Sequence, residues 1–405
     1  MARKSKKLKF SVILVVAVFS LIVGALAGVM GNIYFFTETY QIPYTEAAIT
    51  NIETGNLDVD VVKNQDLSIH FIELGNKYTG DCTLIKVGDI EILIDAGSRA
   101  SSVEPIYNYV NQYVEGKLDF VIVTHAHQDH YAGFATNENT DSLFDLFSVR
   151  TIIKFSQSNQ KADAKMFSNF NREVTETVSE KRTEVYTALQ CYDSESVGNV
   201  NSTGDIGVHR TYNLSADISL NILYQEYYEN PAHSENDYSV CCMIKQENQS
   251  KDNYYLFTGD LEEDGEESLV NYYKQDYGTE PINVSLYKAG HHGSKTSSSD
   301  TLLEFFKPEV VCVCCCAGSS EYTSKVENQF PTQQFIDRIS KYTDQVFVTT
   351  LCLDYNKGSY SSFNGNIVIY TNSSKQLVVA CANNNTILKD TEWFKANRIC
   401  PESWK

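Results

Sequence analysis

Proline is scarce in this chain, at 7 of 405 residues, and its 21 glycines follow no period, which excludes a collagen-like or proline-rich repeat. Long apolar runs are scarcer still. A single one exists, and the mean hydropathy is −0.29, so a polytopic membrane protein is excluded. Positive charge is in deficit, with 33 Lys and Arg against 52 Asp and Glu, for a formal net charge of −19. Five of the positives (Arg3, Lys4, Lys6, Lys7, Lys9) lie in the first ten residues, so −19 less those five leaves −24 on the rest. Such a body repels a phosphate backbone. It argues against avid binding of duplex nucleic acid and suits a small or single-stranded substrate better. Histidine is also rare, at 8 residues. What is present is ordinary for a folded chain: 42% hydrophobic and 21% charged residues exclude disorder over most of the length.

The apolar run, SVILVVAVFSLIVGALAGVM, follows the basic tail 1–10 and carries no charge. Twenty residues at 1.5 Å rise span about 30 Å, the depth of a bilayer core. Glu38 and Glu46 follow it, and no Lys or Arg appears before Lys63. The positive-inside pattern predicts a single-pass anchor over 11–31, with residues 1–10 in the cytoplasm and the body outside the cell membrane. A cleaved signal peptide, with Ala25-Leu26-Ala27 as its site, is the rival reading. Residues 32–65 read as a juxtamembrane spacer, 66–395 as the folded domain and 396–405 as a tail.

Cysteine is not scarce. There are 11, an odd number, so at least one is unpaired within the chain. Most sit in apolar runs such as YSVCCMIK and EVVCVCCCAG, and read as small hydrophobes of core strands. Further strands are predicted at LSIHFIEL, CTLIKV, IEILIDAG, DFVIVT, TIIKF, SLNILYQEYY, YYLFTG, INVSLYKAG, VFVTTLC, GNIVIYT and KQLVVAC, with a hairpin at Gly88-Asp89. Helices are predicted at 103–116, 160–190, 263–274, 300–306 and 332–342, and a loop at 191–215. Strands and helices alternate in two blocks, each opening with strands.

Chemistry concentrates in Thr124-His125-Ala126-His127-Gln128-Asp129-His130, directly after an apolar strand. A tight loop there converges four candidate metal ligands: His125 and His127 for one cation, Asp129 and His130 for a second. The same arrangement recurs three times. EILI runs into Asp95, YYLFTG into Asp260, and VSLYKAG into His291-His292. Four strand ends meeting at one sheet edge would build a dinuclear site, with an Asp such as Asp260 shared between cations. Ser294, Lys295 and Thr296 follow the His pair and offer hydroxyls, N–H groups and an ammonium to a phosphate or carboxylate.

ILIDAG, HAHQDH, LFTGDLE and KAGHHGSKTS together resemble the metallo-β-lactamase superfamily. Within it they resemble the extracellular hydrolase-like domain of bacterial DNA-uptake competence proteins (ComEC type) and related exported hydrolases. The resemblance runs from about Leu67 to about Phe394. It implies an α/β (α+β) chain folded as a four-layer αβ/βα sandwich, here preceded by one transmembrane helix. It implies His125, His127, Asp129 and His130 as metal ligands, Asp260 as the bridge, and His291 or His292 as the last ligand of the second metal. Asp129 and Asp260 would be the residues on which catalysis depends, and Asp95 would orient a ligand. The cofactor would be two divalent ions, with zinc favoured by the imidazoles and manganese compatible with the carboxylates.

The chain also departs from the superfamily. Where many members place a further His, it reads PAHSENDYSVCC, with Asn236 and Ser239 matching an Asn-x-x-Ser pattern and His233 nearby. Phe330 stands where the competence branch has a His. The early Gly-Asp element is kept as Gly80-Asp81. The implied activity is an exported, membrane-anchored, metal-dependent hydrolase that cleaves phosphoester or phosphodiester bonds through a metal-bound hydroxide. The alternative is a degenerate, non-catalytic module that binds a ligand or partner.

Overall fold

The apolar runs become strands of two nine-stranded sheets. The computed structural model describes residues 52–137, 139–201, 203–249, 251–372 and 376–405. The basic tail, the 11–31 anchor and most of the spacer lie outside them. Among the described residues no helix is long and apolar enough to cross a membrane.

The first sheet runs, edge to edge, through Glu53–Asn56, Leu377–Cys381, Ile367–Thr371, Leu67–Phe71, Thr83–Val87, Ile90–Ile94, Lys117–Val123, Ser148–Lys154 and Glu184–Thr187. The second runs through Ser359–Ser362, Val346–Asp354, Phe306–Ala317, Ile282–Lys288, Asn253–Phe257, Cys241–Gln246, Ile218–Leu223, Thr211–Asn213 and Val197–Asn199. Their inner faces share one core, bridged by ring pairs such as Phe71–Phe257 (6.5 Å) and Phe120–Tyr212 (5.0 Å). The outer face of the second sheet packs on the helices Glu263–Tyr277, Asp300–Phe305 and Gln333–Ile339. Helices Val103–Val110 and Lys165–Lys181 contribute Ile106, Val110 and Phe170 to the core of the first sheet. The layering is the αβ/βα sandwich that the resemblance implies.

The cysteines follow from the strand period. In Phe306–Ala317, Val310, Cys312 and Cys314 face the inter-sheet core, while Val311, Val313 and Cys315 face the helices. Cys242 and Cys241 divide the same way. A strand covered on both faces has no polar side, which is why these runs are apolar throughout. All eleven cysteines are free thiols, nine of them buried.

The Gly88-Asp89 hairpin forms as expected, with Val87 opposite Ile90 and Gly88 at φ +56°. Elsewhere boundaries move. The helix predicted over 103–116 stops at Val110. The charged stretch 160–190 splits into the helix Lys165–Lys181, the edge strand Glu184–Thr187 and the helix Ala188–Asp193, which Thr187 caps. The supposed loop 191–215 holds the short strands Val197–Asn199 and Thr211–Asn213.

The domain also outgrows the span 66–395. Glu53–Asn56, read as spacer, pairs in parallel with Leu377–Cys381. Trp404, read as tail, is 5% exposed, donates to the Thr343 carbonyl at 2.9 Å and lies 5.7 Å from the Phe394 ring. Polar composition hid both ends, because each has only one or two anchoring side chains.

His70 is a buried titratable group of the strand Leu67–Phe71. Its ring nitrogens lie 2.8 Å from Ser68 Oγ and 2.9 Å from Tyr109 Oη, and its ring stands edge-on to Tyr113. Burial first, and then the Lys86 charge, holds its pKa down at about 3. An unfolded His takes its proton near pH 6.5, so the unfolded chain binds more protons below that pH. Stability from neutral His70 is therefore full above about pH 6.5 and is lost as pH falls towards 3. Urea melts are expected to show the parent losing about 2–3 kcal/mol more than His70→Gln between pH 7 and 4.5.

Candidate metal centre

Two parallel strand ends from each sheet meet at one edge of the sandwich. Ile90–Ile94 delivers Asp95 and Lys117–Val123 delivers the histidine loop, while Asn253–Phe257 delivers Asp260 and Ile282–Lys288 delivers the His pair. Between them Asp81, His130, Asp260 and His292 each offer one ligand atom, and these atoms lie within 4.8 Å of one another. All four residues are buried.

Asp260 Oδ2 is the focus, 3.0 Å from His130 Nε2 and 3.2 Å from His292 Nε2. His130 is aimed from behind, because its Nδ1 lies 2.7 Å from Asp95 Oδ2. Asp95 is itself fixed, its Oδ1 accepting from Thr124 N at 2.8 Å and its Oδ2 from Thr124 Oγ1 at 2.8 Å. Asp95 sits at φ +61°, a left-handed position that Asp tolerates and most residues do not. His292 is aimed by the Cys314 carbonyl, 2.8 Å from its Nδ1. Its Nε2 also lies 3.3 Å from Asp129 Oδ2.

Several of these buried atoms, His130 Nε2, His292 Nε2, Asp81 Oδ1 and Asp260 Oδ1, make no well-aligned hydrogen bond among the described residues and face one another only as opposite charges at 3.0–3.5 Å. Buried polar atoms without an aligned hydrogen bond are rare, and here they converge on one point. The charges tell the same story. Burial lowers the His130 pKa, but Asp260, Asp95 and Asp81 overcome it and hold it at about 10. His292 is likewise raised, against burial, by Asp260 and Asp81. The aspartates thus hold their imidazoles protonated in place of a bound cation, so the donor set fits a divalent ion.

The family model of the metallo-beta-lactamase superfamily matches residues 75–136, the stretch that supplies Asp81, Asp95 and the histidine loop. That stretch of the chain is similar to the superfamily. The metallo-beta-lactamase fold protein YhfI from Bacillus subtilis is similar at 12% identity, over 70% of this chain and 95% of its own, with a TM-score of 0.36. A long form RNase Z from yeast is similar at 11% identity, over 64% of this chain and 38% of its own, with a TM-score of 0.34. A probable metal-dependent hydrolase from Staphylococcus aureus is similar at 14% identity, over 48% of this chain and 73% of its own, with a TM-score of 0.25. No curated protein sequence matches.

The superfamily motif is only partly gathered into the four-residue cluster. His125 and His127 form a neighbouring pair, Nε2 to Nδ1 at 3.1 Å, with the His125 ring 4.2 Å from that of His130. Burial, and then the His130 charge, holds His125 well below its ordinary pKa, in the neutral form that binds metals. Asp129 accepts from Tyr322 Oη at 2.7 Å. Of the His pair, His292 enters the cluster. His291 stays on the rim, its Nε2 4.0 Å from Asp260 Oδ2 and its Nδ1 3.4 Å from Glu262 Oε1 and 3.1 Å from Thr296 Oγ1. Both have left-handed backbones, φ +46° and +55°, which turns successive side chains to different sides.

Asn236 lies beside this rim, its Nδ2 3.2 Å from Glu262 Oε1 and 3.4 Å from His291 Nδ1. Ser239 Oγ accepts from Asp260 N at 3.0 Å, and His233 is exposed. Ser294 is buried and bonded to Thr296 Oγ1 at 3.0 Å, while Lys295 and Thr296 are exposed. Arg338 clamps this loop through the carbonyls of Lys295, Ser297 and Ser298. Phe330 places its ring 5.7 Å from His291 and 5.8 Å from His292.

Four residues of the centre were not assigned a role from the sequence: Asp81 as a ligand candidate, Lys288, Tyr322 and Glu235. The signal for Asp81 was the Gly80-Asp81 pair. A Cβ at position 80 would meet the Asp129 carbonyl at 2.7 Å, so only glycine admits the close approach. Glu235 braces the histidine loop, Oε1 accepting from Ala126 N at 3.2 Å and Oε2 from Asn159 N at 2.6 Å.

Proposed function

We propose that the chain is a metal-dependent phosphoester or phosphodiester hydrolase. The observation that carries this reading is the convergence of His130 Nε2, His292 Nε2, Asp81 and Asp260 on one buried point. Asp81, Asp129, His130, Asp260 and His292 would hold the cation nearest Asp260. His125 and His127 would hold a second one beside it, with zinc favoured by the imidazoles. A divalent ion there supplies Lewis acidity and lowers the pKa of water.

The chain's own residues do the rest. With a metal bound, Asp95 would keep the remaining His130 proton on Nδ1 and so present Nε2 as a lone pair. The Cys314 carbonyl does the same for His292. Phe330 and Tyr322, with rings 5.7 Å apart, form an apolar wall that limits water on one side. Lys295 has no ion pair among the described residues and stands ready for an anionic oxygen. The −24 body favours a small or single-stranded substrate over duplex. The basic tail and the run 11–31 support a single-pass cell-membrane protein with this domain outside.

The test is metal content and activity of the full chain, purified in detergent without added metal. About two equivalents, with turnover of a chromogenic phosphodiester such as bis-(p-nitrophenyl) phosphate, is the expected result. No metal after incubation with zinc or manganese, and no turnover, would favour a ligand-binding module instead.

A further inference from the structure

Lys288 takes no part in the steps above, yet it is 3% exposed and sends its ammonium into the centre. Its Nζ contacts Asp81 Oδ2, lies 3.5 Å from Asp260 Oδ1 and donates to the Gly259 carbonyl at 3.1 Å. Each aspartate therefore faces two ways. Asp260 turns Oδ2 to the imidazoles and Oδ1 to Lys288. Asp81 turns Oδ1 to His292 Nδ1 at 3.2 Å and Oδ2 to Lys288. An ammonium surrounded by oxygens of a carboxylate cluster stands where such a cluster would otherwise gather a metal cation. A lysine suits the position because its charge is compact and its stem, running along the strand end, brings it there without a rigid fork.

We propose that Lys288 is a built-in cation of the centre. It fills a cation position between Asp81 and Asp260 and thereby caps the number of exchangeable divalent ions the cluster holds. This rests on the metal-centre reading and adds to it the residue that sets the capacity. A chelator removes a metal ion but not a tethered ammonium, so the apo chain keeps two of its aspartates in place.

The experiment compares the full parent chain with Lys288→Ala and Lys288→Arg, each stripped with chelator and then incubated with zinc chloride. Bound zinc per chain is read by mass spectrometry, and Tm is read with and without zinc. Lys288→Ala is expected to bind about one zinc more than the parent, and zinc is expected to raise its Tm by roughly 4–6 °C more. Lys288→Arg, which keeps the charge, is expected to bind no more zinc than the parent. Equal zinc content and equal Tm shifts in parent and Lys288→Ala would make Lys288 a packing residue and overturn the proposal. Zinc uptake by Lys288→Ala alone would support it while removing the hydrolase reading of the parent. Uptake by neither would overturn both. If Lys288→Ala does not fold, Lys288→Ala combined with Asp81→Asn is expected to recover folded protein, since the charge and its partner leave together. No recovery would count against the proposal.

Discussion

Asp260→Ala is expected to strip the centre of its metal and to lower phosphodiester turnover at least about 10³-fold, with far-UV circular dichroism unchanged. The geometry gives the reason. One oxygen of Asp260 is the common neighbour of His130 Nε2 and His292 Nε2, so no other carboxylate can replace it. Asp129→Ala is expected to do the same less completely, because among the described residues the Asp129 carboxylate pairs with His292 and the Tyr322 hydroxyl and with no second imidazole. Metal equivalents by mass spectrometry and steady-state kcat are the readouts. Full activity with full metal in Asp260→Ala would remove the mechanism.

The second large effect concerns a residue that touches no metal. Asp95→Asn is expected to weaken zinc binding by about 10–100-fold. Asn tolerates the left-handed backbone at this position, so the fold survives the change. What changes is the proton. Asp95 accepts from Thr124 N, Thr124 Oγ1 and His130 Nδ1 together, which needs two acceptor oxygens. An amide has one. If its oxygen stays on Thr124 N, its NH₂ faces His130 Nδ1 and drives the ring proton onto Nε2, the atom that should bind the ion. A zinc titration followed by calorimetry reads the loss, and an unchanged zinc Kd in Asp95→Asn would refute this role.

The sequence made the strand ends legible because each joins two independent patterns, an apolar run and a ligand-type residue just beyond it. Asp95, the histidine loop, Asp260 and the His pair all have that form. Asp81 does not. It follows the polar stretch Gly75–Gly80, and backbone hydrogen bonds with Asp129 and Gly97 bring it to the centre. Lys288 closes a strand that also carries Asn283 and Ser285, where a polar residue passes for an exposed position. The choice between His291 and His292 depends on two consecutive left-handed backbones, which no local spacing encodes. The ends of the domain escaped for a similar reason, since a four-residue edge strand and a lone tryptophan carry little period.

The first sheet also bears on how the chain folds. Its C-terminal hairpin, Ile367–Thr371 and Leu377–Cys381, lies between two N-terminal strands, Glu53–Asn56 and Leu67–Phe71. Until the end of the chain has been synthesised, Glu53–Asn56 therefore lacks its partner and Leu67–Phe71, buried along its whole length, stays unpaired on one side. Pairings this distant in sequence form late and slowly. During synthesis that apolar edge is open to other chains, so a ribosome stalled before residue 367 would release a species prone to aggregate rather than a smaller folded unit.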